Sequence, residues 1–180
     1  MQAQDIEMHL ADLGQELHNM GISSPVRILM VGGAFMLTQM HSMRMTNDVD
    51  VLLKDIDDPR TSPQYRVFKA AVRAVANRRQ IPNTWMNDLI GDFLRDLGTV
   101  PNGILWRTYA VLEVYVPEAE YILALKLLAG RQKDREDIRL LCQQIHIQSR
   151  NQAQQLVDRY VPKKTQQVNE LDDTLSDLFP

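Results

Sequence analysis

The chain opens with apolar residues at helical spacing. Ile6, Leu10, Leu13 and Leu17 predict an amphipathic helix over 3–20, with Gly21 as its stop. Ser23, Ser24 and Pro25 form a turn, and Val26–Val31 then reads as a buried strand, because the run is apolar and partly β-branched. Gly32 and Gly33 end that strand, and a short helix follows over 34–41. The segment 47–53 (NDVDVLL) alternates polar and apolar at first, which suits a strand with Asp48 and Asp50 on one face. A polar loop covers 54–63 (KDIDDPRTSP). The next helix is predicted over 63–79, with Phe68, Val72, Val75 and Ala76 on one side. Residues 81–87 are irregular, 88–97 read as a helix and 98–103 as a turn. Strand character runs from 104 to 116, firmest over 111–116, and the pattern leaves open whether this is one strand or two. Pro117 breaks it. Three helices are then predicted, over 118–129, 133–144 and 150–160, the first opening on Glu118 and Glu120, which meet the positive end of the helix dipole. The tail, 163–180, is polar, with a weak apolar pattern at Val168, Leu171, Leu175 and Leu178 that suits a helix docking on this chain or on a partner.

This order predicts an α+β fold: a small mixed sheet with flanking helices and a helical C-terminal part. The divisions are an N-terminal helix (1–25), a core (26–117), further helices of the same unit (118–162) and the polar tail (163–180). With 180 residues, 44 % of them hydrophobic and 24 % charged, the composition is that of an ordinary globular chain. A chain of about 150 residues already buries roughly two-thirds of its unfolded surface, so no staples are needed. The net charge of -3 excludes broad coating of nucleic acid but not a local basic patch. A single cysteine, Cys142, rules out an internal disulfide, and no Cys/His cluster has zinc spacing. The first residues lack a basic region followed by an apolar run, and apolar runs fall short of the ~20 residues that span a bilayer. The expectation is a cytoplasmic protein with no membrane partner.

Chemistry concentrates between Val31 and Val51. Two glycines at a strand end let backbone amides approach a ligand, since no Cβ intervenes. A helix N-terminus directly after them favours an anion such as phosphate. Carboxylates two apart on a strand share a face and suit a hard cation such as Mg²⁺. Taken singly, Gly-Gly is a common tight turn and Asp-x-Asp a common cap. Together on consecutive predicted strands they gain weight, because a sheet would bring them close.

The string VGGAFMLTQMHSMRMTNDVDVLL resembles the signature of the nucleotidyltransferase superfamily, a strand-Gly-Gly turn followed by an Asp-x-Asp strand. Arg44-x-Thr46-x-Asp48-Val49-Asp50 resembles the form found in minimal bacterial members, including toxin–antitoxin and abortive-infection proteins. A second resemblance lies downstream, where Lys126, Ala129, Arg131, Lys133, Asp134 and Asp137 stand at matching positions; the likeness covers roughly residues 26–141. It implies an enzyme that uses Mg²⁺ and a nucleoside triphosphate (NTP). Asp48 and Asp50 would bind the metal, and Gly32, Gly33 and Lys126 the triphosphate. Arg44 and Thr46 would order the approach to the metal strand, and Asp137 would support the site. The acceptor would be an RNA end, such as that of tRNA, or a protein hydroxyl, and the setting a toxin–antitoxin or phage-defence system with a cognate protein partner. Polymerase-type members carry a third carboxylate on a later strand, for which Glu113 is the candidate here, as metal ligand or general base. The alternative is a catalytically degenerate fold kept as a nucleotide- or protein-binding module.

The residues themselves also carry plainer readings. A lysine inside ILALKLLAG is costly unless its amine reaches solvent, a carboxylate or a phosphate. Asp134 and Asp137 equally suit a helix cap and first turn. Arg66, Lys69 and Arg73 fall on one helix face, a solvated surface or a place for RNA phosphates. Met36, Met40, Met43 and Met45 read as adaptable core packing rather than a metal box, and no histidine has a visible partner.

Overall fold

The computed structural model describes residues 1–54, 62–98 and 100–179. The chain is a mixed α+β protein of two compact units. The first comprises Met1–Gly91 and Asn102–Val116, and the second Asp92–Pro101 and Pro117–Pro180. The N-terminal helix falls in the sheet unit, and the helices after Val116, expected as part of the same unit, form the second one together with the tail. Most of the predicted polar loop, residues 55–61, lies outside the described residues.

The sheet unit holds α1 (Ala3–Asn19), β1 (Val26–Val31), α2 (Gly32–Gln39), β2 (Val49–Leu53), α3 (Pro63–Arg79), β3 (Met86–Asn87), the start of α4 (Ile90–Asp96), β4 (Ile104–Tyr109) and β5 (Leu112–Val116). The strand order is β3-β2-β1-β5-β4. β1 runs parallel to β5 and antiparallel to β2, β2 runs parallel to β3, and β4 and β5 form an antiparallel hairpin. β1 is central, and Ile28 to Val31 are fully buried, so both faces of the strand are covered. That explains its unbroken apolar run. α1 packs on α3, β4 and β5 through Ile6, Leu10, Leu13 and Leu17. α2 packs on β1 and β2. Ion pairs from Arg78 to Glu16 and from Arg79 to Asp12 tie α3 to α1.

In the helical unit α5 (Ala119–Ala129) is the buried axis. It packs against α6 (Arg135–Gln144), α7 (Arg150–Tyr160) and α9 (Leu171–Leu178), while α8 (Lys163–Val168) packs on α9. Leu171 and Leu175 are buried, so the tail's weak apolar pattern covers this unit's own core. Burial pushes the Cys142 thiol up to about 11, which makes it a poor nucleophile. Among the described residues no helix is long and apolar enough to cross a membrane.

Candidate functional site

The first cluster forms where β1 runs into α2. The antiparallel register places Asp50 opposite Val31, so its side chain stands beside the strand end. Gly32 takes φ +65°, in the left-handed region, and a Cβ there would lie 2.3 Å from Asp50 Oδ2. A Cβ on Gly33 would lie 2.7 Å from Thr46 Oγ1. Both glycines are therefore required by the side chains of the loop and strand opposite, and any larger residue would displace Thr46 or Asp50. Val31, the residue before α2, makes no side-chain cap, and the first turn of that helix carries no acid. Helix N-terminal N–H groups without a cap are the usual receptor for an anion.

The loop before β2 is held locally. The Thr46 hydroxyl donates to the Asp48 carbonyl at 3.0 Å, and the Thr46 N–H to the Met1 carbonyl at 3.2 Å. Asp48 sits in the bend just before β2, and Asp48 and Asp50 are both half-exposed. Among the described residues the Asp48 carboxylate has no hydrogen-bond or ion-pair partner. Arg44 is exposed on the same loop, flanked by Met43 and Met45. Both methionines stand in solvent, which corrects their reading as core: helix α2 ends at Gln39, and only Met36 of the four is buried on it.

Glu113 does not join this cluster. Its register partner is Arg27, whereas Asp50 is level with Val31. Four residues of β1 separate these levels, roughly 13 Å at the ordinary strand rise. There the Glu113 carboxylate accepts from Arg27 Nε and from the Tyr115 hydroxyl, each at 3.0 Å. That hydrogen bond raises the Tyr115 pKa. The expected third carboxylate is thus a cross-strand ion pair at the far end of the sheet. The residue that the sheet does bring against Asp50 is Asn87, which sequence patterning misses because a two-residue strand has no period.

The second cluster lies in the helical unit. The Lys126 ammonium donates to Asp134 Oδ1 at 2.7 Å and to Asp137 Oδ2 at 2.8 Å. Lys126, Asp134 and Asp137 are only 8 %, 7 % and 4 % exposed. Of the three outlets open to a lysine in an apolar helix, a carboxylate is the one taken. Two of its three donors are spent on it, so the expected role of Lys126 on the triphosphate, and of Asp137 in the site, gives way to a buried ion triad. Asp134 stands at the N-cap position of α6 but makes no cap bond, because its carboxylate turns to Lys126. On α5 the buried Tyr121 hydroxyl has no hydrogen-bond partner among the described residues, and burial pushes its pKa up to about 12.

The basic face of α3 is divided. Lys69 pairs with Asp88 at 2.7 Å, while Arg66 and Arg73 stand exposed. No protein-family model matches the chain, and no curated protein or solved structure matches it.

Proposed function

We propose that the chain is a Mg²⁺-dependent nucleotidyltransferase of the cytoplasm. The observation that carries this reading is the fit of Gly32 and Gly33 against Asp50 and Thr46. It is a cradle without Cβ atoms at an uncapped helix start, closed by the Asp-x-Asp strand. The donor set suits the cation, since Asp48 and Asp50 are hard, half-exposed carboxylates and Asp50 lies against the cradle. Asp48 and Asp50 would hold Mg²⁺, which when bound neutralises charge developing on the reacting phosphate. The N–H groups that open α2 receive phosphate oxygens of the NTP. Thr46 fixes the loop that presents Asp48, and Arg44 adds a cation on that loop. An acceptor hydroxyl attacks the α-phosphorus; the new O–P bond forms as the bond to pyrophosphate breaks, and the hydroxyl proton passes to water. The acceptor is an RNA end, with Arg66 and Arg73 offering contacts to its phosphates, or a protein hydroxyl. Lys126 stays outside the triphosphate set, because its ammonium is matched by Asp134 and Asp137. A toxin–antitoxin or phage-defence setting with a cognate partner follows from the family resemblance alone.

A second reading, a degenerate nucleotidyltransferase fold acting as a binding module, is favoured by one observation: an amide, Asn87, faces Asp50 where a third carboxylate would strengthen the metal site. The deciding experiment incubates the chain with each α-labelled NTP, Mg²⁺ and either total tRNA or cell lysate. The enzyme reading expects label transfer by wild type and none by Asp48→Ala/Asp50→Ala. Equal transfer by both proteins, or none by either, sinks it.

A further inference from the structure

We infer that Asn87 is a positioning residue for Asp50 and sets how strongly the Asp48–Asp50 pair holds a divalent cation; this rests on the metal reading above. β3 pairs parallel with β2, and the register puts Asn87 directly opposite Asp50. Asn87 Nδ2 donates to Asp50 Oδ1 at 2.7 Å. Its other end is fixed as well, because Oδ1 accepts from the Leu89 N–H at 3.2 Å. The amide orientation is chemically forced, since a carboxylate only accepts and a backbone N–H only donates.

The strand that carries Asn87 is short but held from several sides. The Val49 N–H donates to the Trp85 carbonyl at 2.7 Å, and the buried Trp85 Nε1 donates to the Val72 carbonyl at 3.2 Å. Lys69 of α3 holds the next residue, Asp88. Asn87 therefore reaches Asp50 from a rigid base. Oδ1 is held by the amide and Oδ2 lies against Gly32, so Asn87 is one of the contacts that set how the carboxylate is turned. The position also sets charge. An amide adds no charge beside Asp50; a carboxylate would add one at hydrogen-bond distance.

That difference has a sign. In Asn87→Asp the two facing carboxylates repel until a cation sits between them, so cation affinity rises. In Asn87→Leu, which keeps the branched shape with bulkier methyl ends, the donor is lost, the carboxylate rotates, and affinity falls. Outer partners of metal ligands typically change affinity by about 10–100-fold. The test uses the full chain. Mn²⁺ binding is measured by electron paramagnetic resonance, and melting is recorded in EDTA and in Mg²⁺. The expected result is at least about tenfold tighter Mn²⁺ binding for Asn87→Asp and about tenfold weaker for Asn87→Leu. Asn87→Asp should also melt lower than wild type in EDTA and gain more than wild type from Mg²⁺. A merely structural asparagine cannot move affinity in opposite directions. If wild type binds Mn²⁺ and both variants bind equally or more weakly, the role of Asn87 is overturned while the two-carboxylate site stands. If neither wild type nor Asn87→Asp binds Mn²⁺, the metal reading is overturned with it.

Discussion

The two charged clusters read alike in sequence but are built in opposite ways. In the helical unit a lysine and two aspartates are buried together, and each charge is met by an opposite one within 2.8 Å. In the sheet unit two aspartates stay half-exposed, and Asp50, beside an uncapped helix start, receives a neutral amide and lies against a glycine that leaves it room. The first arrangement holds a fold together, because removing one partner strands the others in a medium that solvates charge poorly. The second leaves the Asp48 carboxylate half-exposed, where a ligand can meet it. A lysine in an apolar helix and an Asp-x-Asp after Gly-Gly both announce chemistry, but burial and the identity of the partner separate scaffold from site.

The sharpest way to break this comparison is at Lys126. Lys126→Met strands Asp134 and Asp137 in the core and should cost about 3–5 kcal/mol in urea unfolding. Removing the acids as well, in Lys126→Met/Asp134→Asn/Asp137→Leu, should restore most of that. A single variant as stable as wild type would remove the case for a structural triad. Gly32→Ala comes next. It forces an L side chain to φ +65° and into Asp50, so it should cost about 1–3 kcal/mol and lower label transfer too. Asp48→Ala should show the converse split, with stability within about 0.5 kcal/mol of wild type but transfer down at least about a hundredfold. Glu113→Gln should leave transfer unchanged, since Glu113 is tied to Arg27 at the far end of β1. A collapse of transfer in Glu113→Gln would return the third-carboxylate role to it.

The smallest effect concerns pH. His9 is buried in the sheet unit, edge-on to Trp85 at 5.5 Å, and its Nδ1 has no partner among the described residues. Burial lowers its pKa from 6.5, with Asp5 opposing. The unfolded chain then takes up a proton that the folded chain refuses, so stability is lost as pH falls below about 6.5. His9→Gln should flatten the urea midpoint between pH 7.5 and 5. Identical pH dependence in both proteins would show that His9 carries none of it.

Legibility followed the range of the forces involved. α3 and α7 begin and end where patterning puts them, at 63–79 and 150–160, because their stops and starts are local. Ser62 caps α3 with Pro63 at its first position, and Ser149 and Gln152 form a capping box on α7. The β4–β5 hairpin is harder to see, since its turn uses Ala110 at φ +49° where glycine or asparagine would give the usual signal. Gly32, Gly33, Thr46 and Asp50 are visible in sequence because they lie within twenty residues of one another, and the sheet does gather them.

Helix and strand periods, caps and the Gly-Gly and Asp-x-Asp signals act over a few residues, and the linear order of side chains is enough to specify them. Which carboxylate faces which cation is not written locally. Glu113 meets Arg27 instead of Asp50 because the parallel β1–β5 ladder settles into one register. Asn87 meets Asp50 because a two-residue strand, held by Trp85 and Lys69, closes the sheet edge. Lys126 is matched inside the helical unit because α5 is covered by its neighbours, and a buried ammonium there requires acids at hand. These pairings come from long-range packing, in which burial raises the cost of every unmatched charge and so selects among partners the chain order leaves equivalent.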